Sequence, residues 1–291
     1  MAGQLLYKNY IRAYTTSPGH KGGEILSSLK LAIVQFPRDT TNLNKNITLM
    51  QQYFSQITAG AEVILLPEDW LGATVIDWND YRRIVTELFH TLKDSSSRPL
   101  LVSGAQYVRA EGNIYSRGVV LGGALSAPVA FEKHFPSRAI GERGYVKPGS
   151  LLPVVEHRGI ALGMAVCVDI MYPELVRGLT LRGALLVLNP ANIPATRMPM
   201  WQGIGIARAC ENTVFVATAN NTATAYPDGR EVLGESFVVY PDGYTLLACG
   251  REPGVFYFDL DLSRLDRVRR RWPYLEDVRT NREIICRWYY G

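Results

Sequence analysis

Short, nearly unbroken apolar runs alternate along the chain with segments whose apolar residues recur every three or four positions. The first kind reads as buried strand, the second as helix with one apolar face. The stretch 29-LKLAIVQF-36 is a strand by this rule. After it, Leu43, Ile47, Met50, Phe54 and Ile57 line one face of a helix. The strand 62-EVILLPED-69 is stopped by Pro67, a second helix fits 79-NDYRRIVTELFHTLK-93, and 99-PLLVSGAQYV-108 returns to strand. Strands then dominate, at 114–123, 128–135, 152–157 and 160–169. A helix fits 173-PELVRGLTLRG-183, with proline in the first turn, where a missing N–H costs nothing. A strand at 184–190, a helix at 199–212 and strands at 213–220, 235–241, 244–249 and 255–262 follow, with Pro-Asp-Gly turns at 227–229 and 241–243.

Helices and strands intermix with no linker, which predicts a single α/β domain over 29–291. Residues 1–28 read as an extension outside its core. Because the strand runs are apolar on both faces, the sheets are expected to be covered on both sides. No repeat of fixed period is found. A hydrophobic content of 47% is enough for a substantial core.

The net charge of +4 comes with no basic stripe, so no nucleic-acid partner is expected. The run 267-RVRRR-271, after 259-DLDLSRLD-266, reads as the solvated face of a late helix. The four cysteines form no CxxC pair, and His20, His90, His134 and His157 are scattered, so no metal site is expected. Reduced thiols in a cytoplasm are the simplest reading of the cysteines. The N-terminus lacks a signal pattern and no run is long enough to cross a bilayer, so a soluble protein without a membrane partner is expected.

Candidate chemistry begins at 163-GMAVCVDIMYPE-174. Cys167 stands where a strand gives way to a helix, a junction that exposes a nucleophile and offers backbone N–H groups to an oxyanion. An isolated cysteine in an apolar run is ordinarily a packed side chain. That reading covers Cys210, Cys249 and Cys286. Two other strands also end in charge: Glu68 closes 63-VILLPE-68 and Lys133 closes 129-VAFEK-133. Taken singly, they are an ordinary strand-end glutamate and lysine. Together the three residue types make a working set. A desolvated carboxylate serves as general base and acid, an ammonium stabilises an oxyanion, and the thiolate attacks a carbonyl or nitrile carbon.

In order and context, Glu68 in LLPED, Lys133 in FEKHF and Cys167 in AVCVDIMYPE resemble the Glu-Lys-Cys triad of the nitrilase superfamily of carbon–nitrogen hydrolases. Further similarity lies in 142-ERGYVKPG-149, 207-ARACEN-212 and 234-GESFVVYPDG-243. The resemblance implies a four-layer α-β-β-α sandwich that pairs into at least a homodimer, and a reaction without metal or organic cofactor. It implies that Glu142 supports the lysine and that the Val168 backbone N–H joins Lys133 in the oxyanion hole. The activity implied is hydrolysis of a small carboxamide through a cysteine thioester. Alternatives are an N-carbamoyl amide hydrolase, a nitrilase, or a catalytically silent scaffold that binds a partner.

The chain departs from the family pattern at three points. Many relatives carry arginine four residues after the cysteine, where this chain has Met171, which points to neutral rather than anionic amides unless Arg138, Arg143 or Arg197 reaches in from a loop. The sequence 167-CVD-169, where nitrilases usually show Cys-Trp-Glu, favours an amide over a nitrile. In 133-KHFP-136 the spacer usual between lysine and histidine is missing, and His134 is given no role. Trp70, Tyr172, Asn192 and Ile193 follow strand ends and, with Met171, are the candidate pocket residues.

Overall fold

A computed structural model describes residues 27–58, 60–92 and 98–290, so the extension expected at 1–28 lies almost wholly outside the described residues. The first half of the chain supplies β1 Ser28–Gln35, helix α1 Leu43–Gln56, β2 Val63–Leu65, β3 Ile76–Asp77, helix α2 Trp78–His90, β4 Leu100–Ala110, β5 Asn113–Gly122 and β6 Val129–Glu132. The second supplies β7 Val154–His157, β8 Ile160–Met164, α3 Pro173–Leu181, β9 Leu186–Pro190, α4 Met198–Asn212 and β10 Phe215–Ala219. A short hairpin, β11 Thr224–Ala225 and β12 Glu231–Val232, precedes β13 Phe237–Val239, β14 Leu246–Ala248 and β15 Gly254–Asp261. Helices α5 Ser263–Arg271, α6 Tyr274–Thr280 and α7 Arg282–Tyr290 follow.

These strands make two sheets. One runs β15-β1-β2-β4-β5-β6, with β3 on the end of β4; the other runs β14-β13-β10-β9-β8-β7. In each, three central strands are parallel and are joined by helices: β1-α1-β2-α2-β4 and β8-α3-β9-α4-β10. The two halves therefore share a topology although no sequence repeat announces it.

The side-chain period of two decides the layers. Leu29, Leu31 and Ile33 of β1 join Val63, Leu65, Leu100 and Val102 in the same core as Leu162, Met164, Leu186 and Leu188 of the other sheet. Their neighbours Ala32, Val34, Ile64 and Leu101 face Met50, Phe54, Tyr81, Val85 and Leu88 of α1 and α2. On the far side, Leu175, Val176 and Leu179 of α3 and Trp201 and Ala209 of α4 close the second sheet. The order is helix, sheet, sheet, helix, as the resemblance implied. Truncating a buried leucine of this shared core, such as Leu188→Ala, costs about 2–5 kcal/mol.

Local signals set the helix starts. The Asn42 side chain accepts from the Lys45 N–H at the start of α1, and Asp77 accepts from Asn79 N–H at the start of α2. The late helix is α5, although Arg269 is not purely solvated: its guanidinium donates to the Thr213 carbonyl at 3.1 Å and finishes the C-terminus of α4. Several expected strands are shorter than their runs, three of them at the ends that carry charge or the thiol. The run 62–69 pairs only over Val63–Leu65, 128–135 only over Val129–Glu132, and 160–169 only over Ile160–Met164. Glu68, Lys133 and Cys167 thus stand just beyond the strand ends. Among the described residues no helix is long and apolar enough to cross a membrane.

Candidate active site

Open α/β sheets gather ligands outside the carboxyl ends of their parallel strands. Here β2 leads to Glu68, β8 to Cys167, β9 to Asn192, and β10 to Asn220 and Asn221. The two sheets are tied together at this edge. The Glu68 N–H donates to the Ala191 carbonyl at 3.2 Å. The Asn221 amide donates to the Glu68 carbonyl at 2.7 Å and to Asn192 Oδ1 at 3.0 Å.

Each charged group is set by its own local device. Pro67 ends β2, and β4 bulges beside it between Val102 and Ala105. Gly104 in the bulge has φ +73°, and a Cβ there would lie 2.1 Å from the Pro67 carbonyl oxygen, so only glycine lets the segment before Glu68 pass. Lys133 follows β6; its N–H donates to Ser116 O at 2.9 Å and its carbonyl accepts from Gly149 N–H at 2.9 Å. Glu142 opens a short 3₁₀ turn and is fully buried.

Cys167 departs from the strand expected for it. It begins a 3₁₀ turn, Cys167–Met171, with φ +46°. A non-glycine residue in this region is uncommon and is held there by its surroundings. The holders are identifiable. The Asn189 amide donates to the Ala165 and Cys167 carbonyls, the latter at 3.1 Å. Arg208 donates to the carbonyls of Ile170 at 2.9 Å and Met171 at 3.0 Å. Asp169 accepts from the N–H groups of His134 and Phe135, each at 2.9 Å, which ties the cysteine turn to the lysine loop.

The side chains converge. Lys133 Nζ donates to Glu68 Oε1 at 2.9 Å and to Glu142 Oε1 at 2.7 Å, and its side chain is wholly buried. The Cys167 thiol lies beside the Glu68 carboxylate and the Asn192 backbone, close enough for both to act on its protonation. Tyr107 donates to Glu142 Oε1 at 2.7 Å, and the Ser137 N–H donates to the other oxygen. Burial pushes the Glu68 pKa up, with the Lys133 charge pulling it back and that of Glu142 adding to the rise. Burial, then the Glu68 charge, holds the Cys167 thiol well above its ordinary value. For Lys133 burial acts downward, but Glu68, Cys167 and Glu142 outweigh it and keep the ammonium well above its usual range. A protonated thiol beside a carboxylate, with a fixed cation alongside, can pass a proton and stabilise a developing negative charge.

A cavity of about 740 Å³ opens beside this cluster. Its wall includes Arg38, Asp69, Tyr107, Asn192 and, from the β11–β12 hairpin, Tyr226. Tyr226 donates to the Asn192 carbonyl. The candidate pocket residues are thereby separated. Asn192 lines the cavity. Trp70 does not: it is fully buried in the core under α1 and α2, and its indole donates to Ser103 O at 2.9 Å. Ile193 also belongs to the core, its N–H held by Asn220 Oδ1 at 2.7 Å. Tyr172 stacks on Phe135 with ring centroids 3.6 Å apart, and Met171 packs against the inter-sheet core. None of Met171, Arg138, Arg143 and Arg197 is on the cavity wall; the arginine there is Arg38. Val168 follows Cys167 in the 3₁₀ turn. Among the described residues no group of histidine, cysteine, aspartate and glutamate is arranged to hold a metal ion.

Fold and kinship together make the protein a hydrolase of carbon–nitrogen bonds other than peptide bonds, of the amidase kind. The chain belongs to the Carbon-nitrogen hydrolase family, which it matches over residues 30–270. It is 28% identical to the 2-oxoglutaramate amidase of Bacillus subtilis (strain 168), over 86% of this chain and 97% of that protein. It is 27% identical to the omega-amidase NIT2 of Mus musculus, over 88% and 97%. A CN-hydrolase superfamily protein from Xanthomonas campestris superposes with a TM-score of 0.75 at 19% identity, covering 87% of this chain and 97% of that one. A mutant of the Nesterenkonia AN1 amidase from the nitrilase superfamily gives 0.72 at 23%, covering 92% and 100%. The resemblance read from the motifs, its amidase-like branch and the layered fold are borne out.

Proposed function

We propose that Cys167 is the nucleophile of this amidase, Glu68 its general base and acid, and Lys133 its oxyanion-stabilising cation. The single observation that carries the reading is the buried cluster in which Lys133 Nζ lies 2.9 Å from Glu68 while the Glu68 carboxylate and the Cys167 thiol act on each other's protonation. Glu68 takes the thiol proton as sulfur adds to the carbonyl carbon of a small carboxamide. The oxyanion is received by the Lys133 ammonium and the Val168 N–H. Glu68 returns the proton to the leaving nitrogen, the C–N bond breaks, and ammonia or an amine departs from a thioester on Cys167. Glu68 then takes a proton from water; the hydroxide adds to the thioester, and sulfur leaves with that proton to restore the thiol. Glu142, held by Tyr107 and the Ser137 N–H, keeps Lys133 aimed. The chain from Leu29 onward works as one catalytic domain that pairs into a homodimer through an outer helical layer; exposed Met200 on α4 and Leu181 on α3 support this.

Mixing the protein with small primary amides tests the chemistry. Mass spectrometry is expected to find the acyl mass on Cys167, and Cys167→Ala to lose both adduct and ammonia release while Cys210→Ala and Cys249→Ala keep most activity. A folded Cys167→Ala with full activity sinks the mechanism.

A further inference from the structure

Three charged residues on the cavity wall take no part in the reaction above; Asp39 is part-exposed and paired with Lys45, whereas Arg38 and Asp69 are buried. Arg38 is 5% exposed and Asp69 4%. Arg38 Nη1 donates to the Asp69 carbonyl at 3.1 Å and lies 4.0 Å from Asp69 Oδ2, a contact too long for a hydrogen bond. Arg38 Nε and Asp69 Oδ1 have no hydrogen-bond partner within the protein. Buried polar atoms are ordinarily satisfied, and an exception calls for a partner that comes from outside. Arg38 and Asp69 both line the cavity, and each carries its charge there with an incomplete set of partners from the protein, which describes a dipole without its counterpart.

We infer that Arg38 and Asp69 hold the far end of the acyl chain, and that this end is an α-amino carboxylate. The inference rests on the amidase reading of the site and names its acyl class: ω-amides of amino acids. The guanidinium receives the carboxylate and Asp69 receives the ammonium, so that two dipoles lie antiparallel. A carboxylate without the ammonium would meet the Asp69 charge beside the guanidinium, whereas an uncharged chain end would leave both buried groups unpaired. Ile140 and Tyr145 on the same wall offer the surface for the methylenes between headgroup and amide.

The test compares kcat/KM for ammonia release from butyramide, glutaric acid monoamide and glutamine, with binding of the same intact amides to Cys167→Ala measured by calorimetry. Glutamine is expected to lead butyramide by roughly ten- to hundredfold in both assays, with the monoamide between them. Arg38→Met should collapse the glutamine-to-butyramide ratio, and Asp69→Asn the glutamine-to-monoamide ratio; Arg38→Lys, which retains charge without the planar fork, keeps part of the first ratio and serves where Arg38→Met does not fold. Equal use or tighter binding of butyramide, or unchanged ratios in folded variants, overturns the inference. Butyramide cleavage that depends on Cys167 but shows no headgroup preference defeats the clamp alone. If no amide is cleaved and no Cys167 adduct forms, the amidase reading itself fails, and calorimetry still decides the clamp.

Discussion

Glu142 accepts three hydrogen bonds, from Lys133 and Tyr107 on one oxygen and from the Ser137 N–H on the other. Glu142→Gln keeps the shape and removes both the charge and one acceptor. If the amide oxygen stays with Lys133 and Tyr107, its NH₂ faces the Ser137 N–H, donor against donor. If it flips, the NH₂ faces two donors. Either way at least one buried donor is orphaned, at about 1–3 kcal/mol, and the charge-assisted bond to Lys133 weakens by a further ~1 kcal/mol or so. A stability loss of about 2–4 kcal/mol is expected in urea unfolding. The electrostatic consequence is separate. The Glu142 charge raises the pKa of Glu68 and of Lys133 alike. Without it both fall, so the acid limb of kcat/KM, set by Glu68, and the alkaline limb, set by Lys133, move together to lower pH. The assay is ammonia release from a small primary amide across pH, with wild type and Glu142→Gln run in parallel. A folded variant of wild-type stability, or a rate profile whose limbs do not move, refutes the role given to Glu142.

Glu68→Gln, nearly isosteric but unable to take a proton, should lose at least about 10²–10⁴-fold in turnover, measured by ammonia release; a loss of only a few fold removes Glu68 as base. His157 has its pKa lowered, by burial first and then by the Arg158 charge, so the native state holds it neutral. Its contribution is complete above the unfolded value of about 6.5 and is lost as pH falls below it. Urea midpoints at pH 5.5 and 7.5 should therefore converge in His157→Gln relative to wild type, and an identical pH dependence in both counts against this. Sedimentation at micromolar concentration should give at least twice the chain mass of 32.5 kDa, and a monomer alone disproves the paired assembly.

The central strands were legible because each is buried on both faces and so carries an unbroken apolar run; β3, β11 and β12, only two residues each, carry no period to read. The layer order came from kinship of motif, since an apolar residue such as Leu31 does not disclose which partner covers it. Glu68, Lys133 and Cys167 were visible because charge or a thiol breaks a strand end. Tyr107, Asn189 and Arg208, which hold the site, were not: one polar residue inside a strand or helix looks like any other until the fold gives it a partner. Their signal is a buried polar side chain in an apolar context. Trp70 misled for the converse reason. It follows a strand end in sequence, yet the positive φ of Asp69, +52°, turns the chain inward and sends the indole into the core.

Lys133, Glu68 and Glu142 come from the first sheet and its loops, Cys167 from the second. A chain made from its N-terminus has Glu68, Lys133 and Glu142 in place before Cys167 exists. Until the second βαβαβ half docks, those charges are hydrated and the apolar inner face of the first sheet is bare. Docking must strip the water from both at once, and the ion cluster is tolerable in the dry seam only when its hydrogen bonds are already made. Assembly of the cluster and inter-sheet closure are then the same event, and neither half alone can set Cys167 beside Glu68 and Lys133.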